Sequence, residues 1–206
     1  MFILFINRFW SWFSLGFGLV LFFSCNTSEP AITNNSNTQA ISPAEQSPVD
    51  YFTSSENMLE QDSLNVELRS KLAIQYYSVK NYDRAIYHLL IVQEIDKKNL
   101  PALIYLGNAY YDTQQNEKAI EFYEKAIAID NKNIGVRCDL ATCYLRINLP
   151  KKTIKILNEN IKMNYNHAQS HYNLSIVNKQ IGKNKEADDE MKIYNQLIAT
   201  QKNNGF

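Results

Sequence analysis

The chain is poor in the residues that enzyme chemistry leans on. Its 206 residues include only 6 Gly, 5 Pro, 3 His and 3 Cys. So few glycines supply no Gly-rich loop to cradle a phosphate, and neither His-Glu-x-x-His nor Gly-x-Ser-x-Gly occurs. His167 and His171 stand four apart, a spacing that can set two metal ligands on one helical face. No third ligand is spaced to match them, and His88 stands alone, on what reads as an exposed helix face. Charge of either sign is not in excess, with 21 Lys and Arg against 21 Asp and Glu. Nothing in that balance points to nucleic acid, which asks for a basic stripe. The densest like-charge run, Asp188-Asp189-Glu190, reads as a solvated helix face. No catalytic constellation and no cofactor site is expected; the chain reads as a non-enzyme.

What is present begins with an apolar leader. Residues 1–24 are rich in Phe, Leu, Ile and Trp, with Arg8 and no acid. Phe13 to Phe23 is broken only by Ser14, Gly16 and Gly18, and Ser24-Cys25 precedes an abrupt polar stretch. A charged start, a short apolar core and a small residue at the break make a secretory signal. Cys25 directly after that small residue resembles the lipobox of bacterial lipoproteins, in which the thiol receives a diacylglyceryl group and the signal is cut before the Cys. Phe22 and Phe23 depart from the Leu and small residue usual at those places. Two other outcomes stay open: cleavage with release, or an uncleaved anchor. The anchor needs about 20 apolar residues, and Asn7-Arg8 interrupts the stretch.

Residues 25–62 read as Cys25 with a linker dominated by Asn, Ser, Thr, Gln, Glu and Pro. Such composition buries too little apolar area to offset its ordering entropy. As a flexible coil it reaches ~35 Å. Tyr51-Phe52 and Met58-Leu59 are the residues within it able to pack on the chain beyond residue 62. With Cys25 lipidated, Cys138 and Cys143 remain, five apart on one predicted helix. Their side chains diverge by about 140°, so two free thiols in an apolar setting are expected.

From residue 63 the chain repeats itself every 34 residues. Leu72, Leu106, Leu140 and Leu174 share one place in the period; Ala85, Ala119, Thr153 and Ala187 share another. This gives four gapless units, 66–99, 100–133, 134–167 and 168–201, each with two amphipathic helices at 3–4 spacing. Asn81, Gln115-Asn116, Asn148 with Pro150, and Gly182 mark the breaks within units. Pro101 and Pro150 open helices, where a missing N–H is harmless. Positions 8 and 20 of the period must be small where paired helices touch. They are Ala73 and Ala85, Gly107 and Ala119, Ala141 and Thr153, Ser175 and Ala187.

This pattern resembles the tetratricopeptide repeat, and LPALIYLGNAYYDTQQNEKAIEFYEKAIAIDNKN is close to that family's consensus over its full length. The resemblance implies an all-α, right-handed solenoid whose first helices line a concave protein-binding face. Carried over by position, the face includes Ile74, Tyr77, Ile104, Asn108, Tyr111, Leu145, Arg146, Tyr172 and Ile176. These suit an extended or helical peptide offering apolar anchors. The cationic clamp with which some members hold a carboxylate is absent, since Ser70, Gly135 and Asp139 fill its places. Asp188 and Asn195 replace the Ile of repeat 2 in the fourth unit, as suits a terminal face meeting water. Weak self-association through Met191, Tyr194, Leu197 and Ile198 is the alternative use of that helix. Together these features predict a scaffold held at a membrane of a bacterial envelope, facing the periplasm. A substrate-presenting subunit that offers a glycan or peptide to an envelope enzyme is the alternative.

Overall fold

A computed structural model describes residues 48–203. Among them are nine helices and no strand: α1 (Pro48–Gln61), α2 (Val66–Ser78), α3 (Tyr82–Ile95), α4 (Leu100–Asp112), α5 (Asn116–Ile129), α6 (Ile134–Arg146), α7 (Pro150–Met163), α8 (Ala168–Gln180) and α9 (Asn184–Asn203). Each helix packs mainly on its neighbours in sequence, which makes the chain an all-α solenoid. The starts of α2, α4, α6 and α8 are 34 residues apart, as are those of α3, α5, α7 and α9. The four expected units are therefore four helical hairpins, α2–α3 to α8–α9.

Local chemistry sets these boundaries. Asn65, Asn99 and Asn133 cap α2, α4 and α6, each accepting from the amide three residues on, Leu68, Ala102 and Val136. Such caps satisfy amides that the helix cannot. Within each hairpin the first helix ends on a left-handed residue: Lys80, Gln114, Asn148 and Gly182. The next amide reaches back to close the turn, as Asn81 N–H does to the Tyr76 carbonyl at 2.8 Å and Leu149 N–H to Tyr144 at 2.8 Å. This is the six-to-one bond of a Schellman cap.

The core lies between paired helices. Ala73, Ala85, Ala119, Ala141 and Thr153 are fully buried, so the small positions do bring backbones together. Thr153 keeps its hydroxyl satisfied there by donating to the Ala141 carbonyl of the facing helix or to Leu149, both at 3.2 Å. Gly107 has a separate reason. A Cβ at that site would lie 2.4 Å from Cε1 of Tyr123. Tyr123 is itself buried and donates to Asn108 Oδ1 at 2.7 Å, so it cannot withdraw. The other repeats have Leu89, Leu157 and Met191 in the place of Tyr123, and they carry Ala or Ser in the place of Gly107.

The linker expected through residue 62 is corrected over 48–61, where α1 forms. Its start lies 34 residues before that of α3, and its end 34 before the end of α3. The helix therefore takes the register of a second helix from a unit preceding the first. Its polar composition hid one packing face. Leu59 is buried, Phe52 stacks on Tyr76 with ring centroids 4.4 Å apart, and Glu56 accepts from Tyr76 Oη at 3.0 Å and His88 Nε2 at 3.1 Å. The leader, Cys25 and the linker up to residue 47 lie outside the described residues.

His88 is likewise corrected: it is 1% exposed, not on an exposed face. Arg69 Nη1 approaches its Nδ1 at 3.2 Å, so Nδ1 accepts and Nε2 carries the proton that Glu56 receives. Burial lowers the His88 pKa, against the pull of Glu56 and with the aid of Arg69 and Arg84. His167 is lowered by burial and by His171.

This packing carries two expectations. Gly107→Ala should cost about 1–3 kcal/mol through overpacking against Tyr123, and Gly107→Ala with Tyr123→Leu should recover most of it. Denaturant melts of the three proteins decide this. A lowered folded pKa means that His88 stabilises the fold above its unfolded value of ~6.5, and that this contribution is lost as pH falls through the folded pKa. Urea midpoints should drop between about pH 7 and about pH 5 more steeply in the parent than in His88→Gln, with α1 amides exchanging first. Parallel pH profiles would contradict this role for His88.

Candidate functional site

The first helices of the hairpins, α2, α4, α6 and α8, line the inner face of the solenoid, with α2 touching α4 and α6 touching α8. Ile74, Tyr77, Ile104, Asn108, Tyr172 and Ile176 are half-buried on these helices, and Arg146 is exposed. Two of the residues assigned to the groove are not accessible. Tyr111 is 7% exposed and Leu145 is 6% exposed. The Arg146 guanidinium lies 3.6 Å from the Tyr111 ring centroid and covers it. Leu145 is packed in a core cluster with Leu157, Leu174 and Val177. Tyr172 is turned toward the end of the array, its ring 5.1 Å from that of Tyr194 on α9.

Each junction between hairpins carries a polar link on this face. Tyr77 Oη donates to Asp112 Oδ2 at 2.7 Å, joining repeats 1 and 2. Arg146 Nη1 donates to the Tyr111 carbonyl at 3.2 Å, joining 2 and 3. Asn173 Nδ2 donates to Thr142 Oγ1 at 3.1 Å and approaches Cys138 Sγ at 3.2 Å, joining 3 and 4. These bonds fix the spacing of the helices that a ligand would span.

Asp139 lies buried beneath the centre of the face. Burial raises the pKa of Tyr77, Tyr111 and Tyr123; for Tyr77 the Asp112 hydrogen bond comes next, and Asp139 adds a smaller push to each. The Cys143 thiol is pushed up to about 12, first by burial and then by Asp139. Cys138 and Cys143 are both free and buried, so each packs as a small apolar side chain. Tyr105 and Tyr82 were not expected at the site. Both pack edge-on to Tyr77, at 5.5 and 5.6 Å. Tyr105 follows the groove residue Ile104, and Tyr82 opens α3, a second helix that the repeat pattern does not assign to the face.

Other candidates resolve into structure. Both nitrogens of His171 are engaged: Nε2 donates to the Tyr165 carbonyl at 2.8 Å, and Nδ1 bonds Glu190 Oε2 at 2.6 Å. His167 Nδ1 bonds Ser170 Oγ at 2.8 Å. Among the described residues no three His, Cys, Asp or Glu side chains cluster as metal ligands. A cavity of about 290 Å³ lies on the outer side among α5, α6 and α7, lined by Ile127, Leu140 and Ile156. Within it Arg137 pairs with Glu159, Tyr144 donates to Glu124, and Lys152 lies over the Tyr144 ring. Glu121 and Lys125 form the expected surface pair at 2.6 Å. On α9, Asp188, Lys192 and Asn195 are exposed, while Met191, Tyr194, Leu197 and Ile198 are half-buried. No described helix is long and apolar enough to cross a membrane.

Comparisons with known proteins agree with this architecture. Residues 103–204 match the family model described as the fourth ARM domain of tetratricopeptide repeat protein 21. No curated protein matches the chain. Among solved structures, a crystal structure of MamA is 20% identical with a TM-score of 0.71, covering 75% of this chain and 92% of that one. MamA residues 41 to the end from Desulfovibrio magneticus RS-1 are 16% identical with a TM-score of 0.71, covering 75% and 87%. YrrB, described as a TPR protein with an unusual peptide-binding site, is 19% identical with a TM-score of 0.60, covering 69% and 74%. The chain is a repeat protein of tetratricopeptide-like fold.

Proposed function

We propose that this protein is a binding scaffold tethered to a membrane of a bacterial envelope. Its concave face holds an extended or helical segment of a partner protein. The observation that carries the proposal is the accessible row Ile74, Ile104 and Ile176 beside Tyr77 and Asn108. These residues sit on helices already locked together, and no described helix packs across them. A pre-arranged row of apolar anchors with few charges favours a peptide that brings its own apolar side chains. The peptide-binding site named for YrrB supports a similar use of this fold. Ser70, Gly135 and Asp139 fill the places of the cationic clamp, so a free C-terminal carboxylate is not the expected ligand. The glycan-presenting alternative is weaker. Tyr77, Tyr82 and Tyr105 pack against one another instead of offering open ring faces.

The tether rests on sequence. A leader ending at Ser24-Cys25 supports lipidation of Cys25, and the linker before α1 then gives the solenoid reach from the bilayer. The fold and groove suit a role in holding or assembling envelope proteins, outside the cytoplasm.

Two experiments test the two halves separately. Ile104→Asp with Ile176→Asp should reduce crosslinked capture of envelope partners roughly tenfold or more at unchanged helical content. Undiminished capture would move the site off this face. Metabolic labelling with a tagged fatty acid should mark the parent and fail on Cys25→Ala; equal labelling of both would remove the lipoprotein assignment.

A further inference from the structure

The turns that join the two helices of each hairpin lie along one edge of the solenoid, because every first helix runs one way and every second helix returns. The turns of repeats 3 and 4 are adjacent: Gln180 Nε2 donates to Asn148 Oδ1 across them at 3.5 Å. Residues 147–152 and 179–186 there carry five lysines, Lys151, Lys152, Lys179, Lys183 and Lys185, against the single acid Glu186. The chain as a whole has equal charge of both signs. Asp188, Asp189 and Glu190 follow on the next turn of α9. Two aliphatic side chains project among the lysines, Leu149 at 38% exposure and Ile181 at 39%.

Ile181 holds the C-cap place that Val79 and Ile147 hold in other repeats, Val79 with 54% exposure, but the fold does not ask for the residues at the start of α7. The first turn of α3 holds Asp83, that of α5 Glu117 and that of α9 Glu186, acids that favour a helix N-terminus. The first turn of α7 holds no acid and starts Pro150-Lys151-Lys152, placing cations where the helix dipole repels them. The N-cap of α7 is Leu149, with no side-chain cap bond, where Asn81 caps α3. Leucine is among the poorest residues at that place. Lys151, Lys183 and Lys185 form no ion pair with any described residue. One turn thus forgoes a cap and a favourable charge, and exposes an aliphatic side chain beside unpaired lysines.

We infer that the edge formed by Leu149–Lys152 and Ile181–Lys185 docks on an anionic lipid surface. Lys151, Lys179, Lys183 and Lys185 meet headgroup phosphates, while Lys152 stays over the Tyr144 ring at 4.6 Å, and Leu149 and Ile181 enter the headgroup boundary. Lysines near an anionic leaflet are attracted to it within a Debye length. The exposed aliphatics decide for lipid over an acidic polymer, which would offer them no apolar medium. The inference takes its nearness to a membrane from the tethered scaffold proposed above. Such docking would hold the solenoid by one edge and leave the concave face open to a partner.

Amide hydrogen exchange on the full chain tests this residue by residue. Vesicles of phosphatidylglycerol with phosphatidylcholine should slow exchange in 147–152 and 179–186 and leave 101–112 unchanged. Raised salt should abolish the effect. Lys151→Gln, Lys183→Gln and Lys185→Gln together should raise the lipid concentration needed for protection on the order of a hundredfold. The substitutions remove cations from helix starts, so folding is not at risk. No slowing on anionic vesicles, or equal slowing on phosphatidylcholine alone, overturns the inference. Slowing by soluble polyglutamate but not by vesicles also overturns it, in favour of an acidic protein. Flotation with vesicles reads the Cys25 anchor independently. A chain that floats with an unprotected edge defeats the edge alone, and an edge protected in Cys25→Ala stands without the anchor.

Discussion

The close approach of paired helices at two small residues is the constraint on which everything else depends. Ala73 against Ala85, and Ala141 against Thr153, let backbones come near enough for the bulky neighbours Leu89 and Leu157 to be wholly buried. Each such Leu contributes about 1.5–3 kcal/mol of burial. None could do so if a larger residue held the helices apart. Repeat 2 shows the rule under stress. Tyr123 is larger than Leu, and the facing residue shrinks from Ala to Gly to admit it. Gly in mid-helix costs about 1 kcal/mol relative to Ala, so the exchange is worthwhile only because Tyr123 also bonds Asn108 and reaches toward the concave face.

Because each hairpin is built by the same contact, the hairpins stack in one register and the two ends pose separate problems. At the N-terminal end the exposed side of repeat 1 presents Leu72 and Tyr76. α1 covers it from the place a second helix would occupy. At the C-terminal end no further helix is described, and the outer side of α9 is polar instead, with Asp188, Lys192 and Asn195 exposed. One end is covered and the other is made hydrophilic, the two solutions open to a stack of units that each leave a face unburied.

Most of this was legible in the sequence because small and bulky residues recur at fixed places. The hairpins, their number and their boundaries come from Leu72, Leu106, Leu140 and Leu174, and from the eight small positions. The remainder was hidden for physical reasons. The left-handed turn residues are Lys80 and Gln114 in two repeats, and only Asn148 and Gly182 announce that backbone by their type. α1 carries its packing face on Phe52, Glu56 and Leu59 within an otherwise polar stretch. A carboxylate whose role is to accept from a buried Tyr and a buried His looks, in sequence, like any surface Glu. Tyr111 and Leu145 fall at groove positions by spacing, but their exposure depends on the next repeat: Arg146 covers one and α8 the other. Spacing fixes which way a side chain points, and only packing decides what lies above it.

The same inter-repeat contacts bear on how the concave face works. A solenoid held only by apolar contacts could slide or unwind at each junction, since such contacts are non-directional. Here each junction adds a directional bond on the inner side: Tyr77 to Asp112, Arg146 to the Tyr111 carbonyl, Asn173 to Thr142. Hydrogen bonds weaken steeply with misalignment, so they resist the small rotations that would change groove curvature. The cost is accessibility, because Arg146 and Tyr111 spend their side chains on each other. The gain is that Ile74, Ile104 and Ile176 keep a fixed spacing before any ligand arrives. Less ordering is then left for binding to supply. The face is narrower in chemistry than its positions suggest, and stiffer.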